Sequence, residues 1–121
     1  MAKQAITEGF LPDTISTDET SRSMYVPPVH SLPYVMSKFL ALGMPFADIF
    51  RATAFTPAKL YGFDKMGTLA EGAWADIAVF RVEEKEREFL DTHGNALSGS
   101  CLLVPQMTVK RGMIVYRQSE F

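Results

Sequence analysis

An α+β chain is predicted, with helices in the middle and an antiparallel sheet at the end, on three observations. Between Ser31 and Gly62, proline and glycine punctuate an apolar pattern of helical period. The last third instead holds apolar runs of strand length bounded by turn residues. Two of those runs are separated by Arg111-Gly112, the spacing of a tight hairpin.

The elements follow in order. GFLPDTIST at Gly9 to Thr17 contains a short β-prone core, Thr14 to Thr17, preceded by a proline that suits the start of a strand. Asp18 follows it directly. Residues 19 to 31 are polar or proline-bearing, with Pro27 and Pro28 adjacent, and read as a loop. A helix then begins with Ser31 as cap and Pro33 in the first turn, where a missing N–H costs nothing. It carries Val35, Met36, Phe39, Leu40 and Leu42 on a wide apolar face and stops at Gly43. A second helix starts near Pro45 and presents Phe46, Ile49 and Phe50 at spacings of three and four. Thr56-Pro57 restarts the pattern as cap plus first-turn proline, and Gly62 ends a third, short helix that packing must hold.

Ile77 to Phe80 form a continuous apolar run short enough for a buried strand. DTHGN at Asp91 to Asn95 is a turn signal. Val104 to Lys110 and Met113 to Arg117 are the two arms of the hairpin, with Gly112 supplying a positive φ. Pro105 belongs at a strand start or edge, because it cannot donate to a ladder.

Composition narrows the functional classes. With 121 residues one folding unit is the default, and 47% apolar content is enough for a modest core. Twelve Lys and Arg against fourteen Asp and Glu give a net charge of −2, with no basic excess to hold a phosphate backbone or an anionic membrane. Nucleic acid and membrane are therefore not expected partners. The single Cys101 cannot form an internal disulfide, no apolar run reaches bilayer length, and the first ten residues lack the apolar stretch of a secretory signal. A cytoplasmic location is the resulting expectation.

Position alone singles out one residue for chemistry. Asp18 stands at the carboxyl end of a short strand expected to be buried, where sites collect in parallel-strand folds, although an aspartate there also serves as a turn or cap. His30 could line a pocket but fits a surface or cap-adjacent role better, and His93 inside DTHGN reads as a turn residue. Two isolated histidines and one cysteine lack metal-ligand spacing. RVEEKERE at Arg81 to Glu88 mixes its signs and reads as a solvated strand end or loop. Gly67 and Gly72 precede a strand, whereas a phosphate cradle needs glycines after one. Cys101 reads as a small hydrophobe.

Four stretches together carry a resemblance: PDTISTD at Pro12 to Asp18, LPYVMSKFLALGMP at Leu32 to Pro45, ATAFTPAKLYGF at Ala52 to Phe63 and MGTLAEGAWADIAVF at Met66 to Phe80. In order and spacing they resemble the C-terminal part of the amidohydrolase superfamily, near its dihydroorotase-like and deacetylase-like metal-dependent hydrolases. The likeness covers about residues 5 to 117. It implies the end of a (β/α)8 barrel over residues 1–65, with Thr14 to Thr17 as the last barrel strand and helices after it. Residues 66–121 would then be the C-terminal β-sandwich portion of the same folding unit.

The resemblance also implies roles. Asp18 matches an aspartate that contacts the metal, usually zinc, and takes the proton of a metal-bound water. Asp13 leads into the strand and carries no chemistry. The same site in full-length relatives needs a His-x-His pair, a carboxylated lysine or equivalent and two further histidines, none of which this sequence supplies. A complete member runs to roughly 350 to 450 residues, given about 250 for the barrel alone. Ala5 to Phe10 continue the pattern without a break, which raises Met1 as an internal methionine of a longer gene. The expectation is a C-terminal piece of an amidohydrolase acting on C–N bonds of amides or cyclic amides, inactive alone and holding no zinc by itself. The alternative is a non-catalytic oligomerisation or binding module derived from that fold. On either reading the partner is a second copy of the chain or a chain completing the barrel.

Overall fold

The computed structural model describes residues 2–25, 31–91 and 93–120. Helix α1 (Ala2–Thr7) opens it, unannounced by any cap or buried position. Ile6 still packs at the margin of the core. The segment that follows corrects an expectation. Thr14 to Thr17 form no strand; Ile15 is buried, and its N–H donates to the Ala52 carbonyl at 3.0 Å. A strand exists only through a hydrogen-bonded neighbour, and no described strand runs beside this segment.

Helix α2 (Leu32–Ala41) forms where its punctuation predicts, with Pro33 in the first turn and Gly43 at φ 92° beyond its end. Ser31 occupies the cap position, but its side chain makes no capping bond. The serine that matters is Ser37, fully buried: its Oγ donates to the Pro33 carbonyl at 2.7 Å and accepts the Leu103 N–H at 2.9 Å. That pair of bonds joins the helix to the sheet through a satisfied buried polar group.

Helix α3 (Phe46–Phe50) begins after Pro45, and a second expectation holds only in part. A short α-helical segment does begin at Thr56 with Pro57 in its first turn, but Thr56 is not a cap and no break precedes it. A π-helical turn over Arg51–Phe55 runs on without a break into α4 (Thr56–Leu60), and Thr56 itself has helical φ and ψ of −65° and −46°. Inside a regular α-helix the Pro57 ring would strike the carbonyl four residues back, and a wider turn relieves such a clash. Gly62, at φ 72°, ends the helix as expected.

The sheet has three antiparallel strands, β1 (Ile77–Leu90), β2 (Ala96–Lys110) and β3 (Met113–Arg117), in the order β1-β2-β3. Both β1 and β2 outrun their apolar cores. The charged run from Arg81 to Glu88 belongs to β1 and is mostly exposed. Arg111 and Gly112 both take positive φ, 49° and 81°, the signature of a type I′ hairpin turn. In the other hairpin the Asp91 carboxylate accepts the N–H groups of His93 and Asn95, each at 2.8 Å. Pro105 is neither at a strand start nor on an edge strand: it lies in the central β2. It is tolerated because it pairs with Phe80 at a register shift and stands beyond the last β2–β3 pair, Met107 with Arg117.

The core lies between helices and sheet and joins Ile15, Met36, Met44, Ile49, Ala52 and Leu103. Two glycines permit close approach there. A Cβ on Gly99 would sit 2.6 Å from the Phe89 ring and 2.7 Å from Ala41 Cβ. On Gly67, whose φ is 73°, it would meet the Ala54 carbonyl oxygen at 2.5 Å.

Candidate functional site

Asp18 is exposed and held in the left-handed region at φ 55°. For a residue with a Cβ that conformation costs about 1 kcal/mol, less for aspartate than for most, and it persists where neighbours impose it. The neighbours here are identifiable. Upstream, Ile15 anchors the chain in the core and on the Ala52 carbonyl. Downstream, Thr17 Oγ1 accepts the Glu19 N–H at 3.2 Å, Glu19 Oε2 accepts the Ser23 hydroxyl at 3.1 Å, and a turn from Thr20 to Ser23 follows. The carboxylate is thus carried outward on a bend fixed at both ends. An ionised carboxylate so displayed can accept a proton from water and return it to a leaving group.

Other residues considered from sequence do not join it. His30 lies outside the described residues, as do Pro27 and Pro28. His93 sits in the β1–β2 turn, bonded through its N–H to Asp91, and Cys101 is half-buried on β2. Among the described residues no three His, Cys, Asp or Glu side chains gather closely enough to hold a metal ion. Asp18 is one carboxylate donor, so the zinc implied by the resemblance does not fit the described residues taken alone.

A mostly apolar cavity of about 780 Å³ opens between the helices and the start of β1, with Phe50, Phe55, Leu69 and Phe80 in its wall. Asp18 is not part of that wall.

Sequence reasoning gave no role to Asp76, which the fold makes conspicuous. Its carboxylate accepts from Lys110 Nζ and, at 2.8 Å, from the Arg111 N–H, while Gly112 N–H donates to the Ala75 carbonyl. The Arg111 guanidinium lies over the Trp74 ring, 3.9 Å from its centroid. The Lys110 hydrogen bond, and next the Arg111 amide, hold the Asp76 carboxyl below the usual carboxylate range. Ala75-Asp76 therefore clamps the β2–β3 turn to the chain leading into β1. The available signal was an aspartate just before a strand together with a Lys-Arg-Gly turn, but nothing local pairs them.

The chain matches the sequence model of the amidohydrolase family over residues 36–116. It is 35% identical over 109 residues to a deacetylase of Agrobacterium fabrum, covering 90% of this chain and 26% of that one. A solved structure of an adenine deaminase superposes with a TM-score of 0.88 at 28% identity, over 97% of this chain and 32% of that one. One of a dihydroorotase gives 0.82 at 33% identity, over 94% of this chain and 30% of the other. The chain spans between about a quarter and a third of the length of these relatives.

Proposed function

The chain belongs to the amidohydrolase family, and from that membership we propose that it is the part of an amidohydrolase that delivers the Asp18 carboxylate to a hydrolytic site completed by the remainder of that fold. Hydrolysis of a C–N bond in an amide or cyclic amide is the reaction class, in keeping with the deacetylase and dihydroorotase among its relatives. The observation that carries the reading is Asp18 itself, exposed at a positive φ and fixed from both sides. Its role is proton transfer: it takes a proton from the attacking water and gives one to the departing nitrogen. Among the described residues no three His, Cys, Asp or Glu side chains gather to hold a metal ion, which supports the reading that the chain needs the remainder of the fold to hydrolyse.

The test is an assay of the purified chain on N-acyl amino acids and cyclic amides, with and without added zinc, beside the same assay on a complete enzyme containing this sequence. The expected result is no turnover by the chain, and a loss of about two to four orders of magnitude in the complete enzyme on Asp18→Asn. Turnover by the chain that Asp18→Asn abolishes overturns the inactivity. Undiminished turnover by the complete Asp18→Asn enzyme overturns the role.

A second reading, a non-catalytic module that assembles with another chain, draws on the exposed apolar side chains. Leu69 is 80% and Tyr61 76% exposed. Where such side chains adjoin in one patch they mark an interface, and on this reading the partner is a second copy or a chain that completes the fold.

A further inference from the structure

The Ile15–Ala52 bond depends on an acceptor that a regular helix would not offer. Ala52 is 2% exposed and lies in the π-helical turn, so its carbonyl should be claimed within the helix. In this turn the Thr56 N–H donates to the Arg51 carbonyl, five residues back. The same register assigns the Ala52 carbonyl to the N–H of residue 57. Residue 57 is proline and has none. A buried carbonyl left without a partner costs about 1 to 3 kcal/mol, and Ile15 N–H fills the gap at 3.0 Å.

We propose that Pro57 is a positioning residue for Asp18: by withholding an amide proton it leaves the Ala52 carbonyl to Ile15, and that bond sets where the Asp18 bend begins. Only Ser16 and Thr17 separate the anchor from the carboxylate, so a shift of one is passed to the other with little slack. Gly67 supports the arrangement from outside, its backbone lying against the Ala54 carbonyl and Ala58 Cβ of the same helical stretch. The inference rests on the reading of Asp18 as the working carboxylate, but its geometric content can be measured without any activity.

The experiment compares the wild-type chain, Pro57→Ala, and a semisynthetic chain with N-methylalanine at position 57, which has no ring and no N–H. Amide exchange at Ile15 and the HN–Hα coupling of Asp18, a direct report of its φ, are read by NMR. With Pro57→Ala, Ile15 exchange accelerates about tenfold. The Asp18 coupling drifts from its left-handed value, while the amides of β1 and β2 keep their protection. N-methylalanine restores both readouts, which a merely structural loss would not do. Undiminished Ile15 protection in Pro57→Ala overturns the proposal, because the carbonyl then serves both donors. Wholesale unfolding of Pro57→Ala overturns it too, since alanine is the better helix residue. So does a failure of N-methylalanine to rescue. Asp18→Asn in the complete enzyme tests the functional reading separately, so each can fail without the other.

Discussion

Asp18 and Gly99 illustrate two ways in which one residue is constrained. At Asp18 the constraint is conformational: φ 55° is tolerated by aspartate and asparagine and resisted by branched or bulky residues. Asparagine there keeps the bend and removes the charge, which makes Asp18→Asn a clean probe of the carboxylate. Gly99 is constrained by space, since a methyl group would lie inside contact distance of both Phe89 and Ala41. Phe89 is itself buried and stacked edge-on against Tyr34 at 5.2 Å, so it has no room to yield. Gly99→Ala is expected to lose about 1 to 3 kcal/mol of stability, measured by urea unfolding. The sequence makes Asp18 noticeable by its place directly after a β-prone run. It does not distinguish Gly99 from any strand glycine, because what forbids a side chain there comes from a helix and a neighbouring strand.

Among the elements, α2 and the β2–β3 turn were legible and the long helix was not. Local signals terminate α2 and select the type I′ turn: proline in the first turn, glycine after the last, and Gly112 in the hairpin loop. The continuity from α3 through the π turn to α4 is not legible, because Thr-Pro is a sound start signal in isolation and only the folded chain shows that the helix widens instead of stopping. The β2–β3 turn also carries a pH dependence. Hydrogen bonds from Lys110 and the Arg111 amide lower the Asp76 carboxyl, so its folded-state pKa lies below its unfolded one. Its stabilising effect is then complete above the unfolded value and disappears as pH falls through the folded one. Asp91, lowered first by the Asn95 side chain, has the same sign at the other hairpin. The protection factors of the β3 amides, with the intrinsic pH dependence of exchange divided out, should therefore fall on acidification into the carboxylate range. Asp76→Asn should flatten that fall, and β3 protection factors that do not change with pH in the wild type would remove the clamp.

For the whole molecule, nearly all of this chain superposes on about a third of an adenine deaminase structure, so its fold matches a portion of that larger one. The exposed side chains agree, with Phe46, Phe50 and Phe55 each about two-fifths exposed along one helical stretch and Met113 to Tyr116 exposed on β3. Purified alone at micromolar concentration, the chain is expected to scatter light as a species larger than a monomer. A monodisperse monomer would count against both forms of assembly.

What the sequence determined by itself was local or compositional: the ends of α2, the hairpin loop, the lack of a basic excess, and the ordered motifs that place the chain in its family. Those features depend on contacts within a few residues or on residue identity alone. The tertiary structure decided whatever depends on partners distant along the chain. Thr14 to Thr17 lack a strand because no described strand lies beside them, Ala52 holds Ile15 because Pro57 cannot, and Ser37 meets Leu103. Asp76 reaches Lys110 and Arg111 across a strand pair. A hydrogen bond between distant residues requires the rest of the chain to fold first, and no periodicity in the sequence records where its two ends will meet.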